Sequence, residues 1–178
     1  VKRIYLGLGS NVEREKHLTA GLEALSALLG EIRCSAVFES APVGIKSGPF
    51  FNLAVMAYTD LPLAELSLQL KHIEADNGRY APDRKGLPLD IDILLYDDLV
   101  GDFNGLKLPR AEILHNAFVL WPLSLLAPDY VHPIAEKSLT DLWRDAEIAQ
   151  SLLPVAFEWR GEPLTSAELL AVGASVTR

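Results

Sequence analysis

Apolar and polar positions follow two different periods along the first half of the chain. Residues 3–9 (RIYLGLG) alternate and are rich in strand formers, which predicts a strand broken at Gly9-Ser10-Asn11. Leu18, Leu22, Leu25 and Leu29 then recur at three- and four-residue spacing. That is the repeat of one helix face, and it predicts a helix over about 13–29 with Ser10 or Asn11 near its start and Gly30 past its end. Residues 32–40 read as a second strand. Residues 41–49 hold two prolines and two glycines and read as a loop, and 51–59 (FNLAVMAYT) as a third strand. Leu63, Leu66, Leu70 and Ile73 form the stripe of a second helix, opened by Asp60 and Pro62 and ending near Asn77-Gly78. A polar loop over 79–88 leads into a fourth strand at 89–96 (LDIDILLY).

Later signals are weaker. They predict a short strand at 106–108, a helix at 116–126 disturbed by Pro122, a helix at 139–149, a strand at 155–159 and a short helix at 166–172. The order β-α-β-β-α-β over residues 1–96 predicts an α+β, ferredoxin-like fold, an antiparallel sheet with two helices on one face, extended by C-terminal helices. One domain is expected over residues 1–150, with 151–178 a C-terminal extension packed on it.

Composition narrows the class. The chain has 178 residues, 49% apolar and 22% charged, which excludes a disordered or fibrous protein. Such a length buries a core without help from disulfides or structural metals. Cys34 is the single cysteine, so no intramolecular disulfide can form; with no signal-like N-terminus, a cytoplasmic setting is expected. The longest apolar stretch, 118–127, contains Pro122 and falls short of the ~20 residues of a membrane span, so no membrane partner is expected. Sixteen basic against twenty-four acidic residues give −8, which argues against a nucleic-acid surface but leaves room for a small anion in a local basic pocket. A monomer acting on small molecules is expected.

The sharpest chemical signal is Asp90-Ile91-Asp92. On a strand, residues i and i+2 share a face, so both carboxylates project together, with Cα atoms about 6.5 Å apart at a rise of about 3.3 Å per residue. Leu89, Ile91 and Ile93 face the other way, toward the core. Such a pair repels itself unless a cation sits between. Mg²⁺ favours a few carboxylates together with phosphate oxygens, so the pair suits a nucleotide–metal platform. The alternative is an ordinary solvated strand face. The preceding loop carries Arg79, Arg84 and Lys85, cations able to hold a polyphosphate whose metal rests on the acids. Taken alone, that run is equally an exposed loop.

Other features are weaker. Gly7-Leu8-Gly9-Ser10-Asn11 lacks the third glycine of a dinucleotide loop and the Gly-Lys-Ser/Thr of a P-loop, and reads as turn chemistry. Asn52 sits mid-strand, where asparagine is disfavoured, and is either a surface residue or an amide that reads a polar ligand edge. Phe50, Phe51 and Phe118 offer stacking faces, with core packing expected for at least one. Cys34, Trp121 and Trp143 are expected to pack. His17, His72, His115 and His132 have no partner at catalytic or zinc-ligand spacing.

The ordered motifs Y-L-G-L-G-S-N, E-S-A-P-V-G before F-F-N-L-A-V, I-E-x-x-N-G-R, L-D-I-D-I-L-L-Y and F-V-L-W-P-L-x-x-L-A-P-D together resemble the 6-hydroxymethyl-7,8-dihydropterin pyrophosphokinases. The likeness runs over residues 3–130, and weakly to about 145. It implies a ferredoxin-like fold and transfer of pyrophosphate from ATP to the pterin alcohol, releasing AMP. It implies two Mg²⁺ ions held at Asp90 and Asp92, with ATP as co-substrate. It matches Asn52 and Phe118, with Val43 and Gly44 on the backbone, to the pterin pocket. Glu74 and Arg79 match the nucleotide side. Lys71, Lys85 and Arg110 are further candidates for nucleotide contact, and Arg79 and Arg84 for catalysis.

Departures from the family pattern are equally specific. The family's arginine shortly before Asp-x-Asp is absent from Gly86-Leu87-Pro88-Leu89, and the loop over 79–86 is short. Arg110 stands where the family has a histidine, and Asn116 where it has an arginine. A charge-assisted contact is worth about 1.5–3 kcal/mol. Two lost together would cost roughly 10²–10⁴ in rate if they act in the transition state. Two alternatives therefore stand beside the enzyme: a weakly active paralogue that binds pterin or nucleotide, and a ferredoxin-like interaction domain.

Overall fold

A computed structural model describes residues 1–40, 48–172 and 176–177. The first half contains β1 (Lys2–Ser10), α1 (Arg14–Leu29), β2 (Ile32–Cys34), β3 (Val37–Ser40), β4 (Phe50–Thr59), α2 (Leu63–Asp76) and β5 (Asp90–Tyr96). The sheet runs β3-β4-β1-β5, with β2 also on β4, and every pairing is antiparallel. This is the expected ferredoxin-like order.

The two leucine stripes account for one side of that sheet. Leu18, Leu22 and Leu25 of α1 and Leu66, Leu70 and Ile73 of α2 are buried against Ile4, Leu6 and Leu8 of β1, Leu53 and Val55 of β4, and Ile91 and Ile93 of β5. Leu29 and Leu63, at the ends of the stripes, are only half-buried.

The opposite side is covered too. After β6 (Gly101–Phe103), β7 (Leu106–Leu108) and a 3-10 turn at Ala111–Leu114 come α3 (Ala117–Leu126) and α4 (Leu139–Arg144). Leu120, Trp121 and Leu123 of α3 and Leu139 and Trp143 of α4 bury Tyr5, Phe38, Ala54 and Met56. Trp121 and Trp143 stack at 5.2 Å between ring centroids, and Phe38 lies 4.5 Å from Trp121, so these rings pack as expected. The chain closes with β8 (Ser151–Val155), β9 (Glu158–Trp159), β10 (Glu162–Pro163), α5 (Ala167–Ala171) and β11 (Val176–Thr177). β8 pairs with β3, and β11 with β8, so the extension widens the sheet. Among the described residues no helix is long and apolar enough to cross a membrane.

Several expectations change. The strand over 32–40 is two strands, because β2 and β3 pair with β4 in registers one residue apart. Ser35 makes the step: its N–H donates to Ala54 O at 2.8 Å, and its Oγ accepts from Ala54 N at 2.8 Å. One side chain thus replaces one backbone carbonyl at a bulge. The helix at 139–149 ends at Arg144. Asp145 and Glu147 would place negative charge at its negative C-terminal end, and Gln150 is drawn away to cap α3, accepting from Ala117 N at 2.7 Å. The strand at 155–159 is replaced by β8 and β9. β6 is an addition, joined to β7 through Asn104-Gly105, both with positive φ.

Ser35→Ala leaves the buried N–H of Ala54 without an acceptor. A loss of about 1–3 kcal/mol is expected, read as a lower urea midpoint at unchanged slope.

Candidate functional site

The site starts from cross-strand register. Gly9 of β1 lies between Asn52 of β4 and Asp90 of β5, and Gly7 lies between Ala54 and Asp92. Directly opposed residues share a face. Two rows therefore run across the sheet, each with a carboxylate at one end and glycine in the middle; one ends in the Asn52 amide and the other in the Ala54 methyl. Two strand spacings separate Asn52 from Asp90 by roughly 10 Å. A Cβ on Gly9 would come 3.0 Å from Asn52 Oδ1, so glycine there keeps the trough floor bare backbone and leaves the amide in place. Phe118, Val119 and Pro122 of α3 form its other wall.

The carboxylates are held by cations from two directions. Arg79, just after α2, donates from one guanidinium nitrogen to Asp90 Oδ1 at 2.9 Å and to Leu89 O at 3.2 Å. The same nitrogen lies 3.5 Å from Glu74 Oε2. Glu74 is buried, accepting Ile91 N–H on Oε2 at 2.8 Å and the Tyr80 hydroxyl on Oε1 at 2.6 Å. Arg110 places one nitrogen 3.5 Å from Asp92 Oδ1 and another 2.6 Å from Glu112. Its own N–H donates to Leu94 O at 3.0 Å, which fixes it beside β5. Burial first, and then the charge of Asp90, push the Asp92 carboxyl up to about 7; Arg110 opposes that rise. Asp92 is therefore a carboxyl that lacks a full positive partner.

Asp90 and Asp92 form a ridge shared by two recesses. One is the narrow trough over Gly7 and Gly9. The other is a cleft of about 720 Å³ between α2 and the β6–β7 hairpin, lined by Leu63, Leu70, Lys71, Glu74, Arg79, Tyr80, Phe103, Leu106 and Arg110 among others.

The candidate residues sort accordingly. Asp90, Asp92, Arg79, Arg110, Glu74 and Lys71 meet in the cleft, although both Glu74 oxygens are engaged by protein donors. Asn52 and Phe118 meet in the trough; the Asn52 amide donates to Ser40 Oγ at 2.8 Å. Arg84 and Lys85 are exposed and do not line the cleft, and Arg84 donates to Gly86 O at 2.8 Å within its own loop. Val43 and Gly44 lie outside the described residues. Phe51 is core, with the Arg14 guanidinium 3.7 Å above its ring.

Three features escaped sequence reasoning. Gly7 and Gly9 are trough floor rather than turn, and glycine at alternate positions of a strand was the available signal. Tyr80 joins the site through Glu74. Asn11 does not cap α1. Instead its Oδ1 accepts Leu87 N–H at 2.6 Å and its N–H donates to Leu87 O at 3.1 Å, tying the 79–88 loop to the end of β1. Gly86 is needed there, since it has φ 74° and a Cβ would fall 2.7 Å from Asn11 Oδ1.

No group of three or more metal-binding side chains occurs among the described residues. The donor set is two carboxylates facing open space beside three cations. This suits Mg²⁺, which is commonly held by one or two carboxylates and completes its shell with phosphate oxygens and water. The raised proton affinity of Asp92 fits a site short of positive charge.

Known proteins with this pattern are specific. The sequence pattern of the 7,8-dihydro-6-hydroxymethylpterin-pyrophosphokinase family matches residues 5–128. The 2-amino-4-hydroxy-6-hydroxymethyldihydropteridine pyrophosphokinase of Aquifex aeolicus is 37% identical over 141 residues, 78% of this chain and 88% of that one. The enzyme of the same name from Pseudomonas aeruginosa is 40% identical over 136 residues, 72% and 83% of the two chains. Among solved structures, Plasmodium falciparum HPPK-DHPS A437G with SDX-DHP superposes with a TM-score of 0.66 at 16% identity, over 80% of this chain and 45% of that one. The present chain thus spans under half of that larger protein, and the likeness there is one of fold. From the matched pattern and the two bacterial relatives, the chain belongs to the 7,8-dihydro-6-hydroxymethylpterin-pyrophosphokinase family.

Proposed function

We propose that this chain transfers the pyrophosphoryl group of ATP to 6-hydroxymethyl-7,8-dihydropterin, releasing AMP, in folate biosynthesis. The observation that carries this reading is the Asp90/Asp92 ridge between two recesses of different chemistry. The cleft has cations and apolar walls for a nucleotide. The trough has an amide, a bare backbone floor and an aromatic wall for a flat heterocycle. The reacting groups meet over the carboxylates.

In this reading Arg79 and Arg110 neutralise the phosphate chain from either side of β5, and Lys71 meets its outer end. Asn52 reads the polar edge of the pterin while Phe118 stacks on its face. Asp90 and Asp92 would hold Mg²⁺, two ions in the full complex, which supplies charge neutralisation along the phosphates. Such transfers depend mainly on positioning and electrostatics. Arg110 takes over charge from the family's absent arginine before Asp-x-Asp, since it reaches Asp92 directly. Asn116 has a packing role, accepting from Gln150 Nε2 at 3.3 Å. Residues 1–150 would form the catalytic unit and 151–178 its extension. We read the chain as a monomer working in the cytoplasm, and the charge of −8 accords with partners that do not include nucleic acid.

Pterin-dependent AMP formation from Mg-ATP is the direct test, followed by chromatography against a no-pterin control. AMP should form only when both substrates are present, and Asp92→Ala should lower the rate by at least about a hundredfold. Pterin binding without turnover would instead indicate the weakly active paralogue.

Gly9→Ala should raise KM for the pterin severalfold and leave KM for ATP unchanged, because the new methyl displaces the Asn52 amide and does not touch the cleft.

Stability should also report on Asp92. Its carboxyl binds a proton more tightly in the folded chain than in the unfolded one. That adds stability below the ordinary carboxylate range near 4, and the gain is lost as pH rises through about 7. In metal-free protein, Asp92→Asn should therefore melt higher than wild type at pH 8, and the gap should close toward pH 4. Adding Mg-ATP should raise the melting temperature of wild type only.

A further inference from the structure

Tyr80 is 56% exposed, yet its hydroxyl points inward to a 2.6 Å bond with buried Glu74. Its ring lines the cleft, and the Arg79 guanidinium lies 5.7 Å from the ring centre. Glu74 in turn accepts Ile91 N–H, between the two aspartates, and faces the same Arg79 nitrogen that holds Asp90. A continuous chain of contacts thus runs from a cleft-facing ring to the carboxylate ridge.

On the reading that the cleft takes the nucleotide, we propose that Tyr80 is a positioning residue that couples nucleotide occupancy to the Mg²⁺-binding carboxylates. A ligand in the cleft covers the ring and removes water from around the hydroxyl. A hydrogen bond to a charged carboxylate strengthens when water leaves. Glu74 is then held more firmly, and with it Arg79 and the start of β5. Without the hydroxyl, Oε1 of Glu74 loses its donor and its carboxylate competes with Asp90 for Arg79. Residues behind metal ligands typically change metal affinity or activity by about 10–100-fold when altered.

Tyr80→Phe separates this role from any contact made by the ring, because it removes only the hydroxyl. The probe is α,β-methylene-ATP, whose carbon bridge blocks transfer, titrated calorimetrically into wild type and variant with Mg²⁺ and again in EDTA. The variant should bind the Mg²⁺ complex about tenfold more weakly, at the low end of that range. Binding in EDTA should be unchanged. In turnover, half-saturating Mg²⁺ should rise while KM for the pterin stays constant. An unchanged affinity for the Mg²⁺ complex overturns the proposal. An equal loss with and without Mg²⁺ also overturns it, since Tyr80 would then act on the nucleotide itself. A lower melting temperature with both substrates weakened alike would mark the bond as merely structural and overturn it too. Absence of pterin-dependent AMP in wild type would defeat the functional reading alone, because the binding comparison still decides the role of Tyr80.

Discussion

Two carboxylates on adjacent same-face positions of one strand repel each other, and much of this molecule is arranged to hold them there. Arg79 comes from the end of α2 and Arg110 from the segment before α3, so each aspartate meets a cation from a different element. Glu74, beneath them, ties Arg79 to the backbone of β5. The compensation is uneven. Asp90 has a close partner at 2.9 Å, whereas Arg110 is shared between Asp92 at 3.5 Å and Glu112 at 2.6 Å. A residual demand for positive charge therefore remains at one defined point, next to open space.

Packing decides where that point can be. α1 and α2 cover one side of the sheet, and α3 and α4 cover most of the other. The inner rows of both faces are core. Where β1 carries Gly7 and Gly9, α3 leaves a gap, and beside β5 the β6–β7 hairpin stands off from α2. The carboxylates sit where these two gaps meet. The C-terminal segment reinforces the opposite end, pairing β8 with β3 and supplying Phe157 against Phe51.

Features set by short-range periodicity were legible in the sequence. The leucine stripes of α1 and α2 and the facing of Asp90 and Asp92 needed only the repeat of a helix or strand. What could not be read depended on remote partners. The break at Ser35 requires knowing that Ala54 lies opposite. The role of Asn11 rests on a loop 76 residues away. Likewise, three cations near Asp90 in sequence looked equivalent, yet Arg79 reaches it while Arg84 bends back to Gly86. Conversely, Arg110 is distant along the chain and lies beside Asp92. The family likeness supplied a set of candidate residues; their individual contacts depend on loop paths that spacing alone does not encode.

The backbone floor of the trough bears on inhibition. A compound lying on Gly7 and Gly9 would be contacted there by main chain, which no substitution removes. Resistance through the floor could arise only by adding atoms. At Gly9 the first added carbon meets Asn52, the amide proposed to read the pterin. On that proposal, escape by that route carries a loss of substrate recognition, whereas Val119 in the wall has no proposed substrate contact and can change independently.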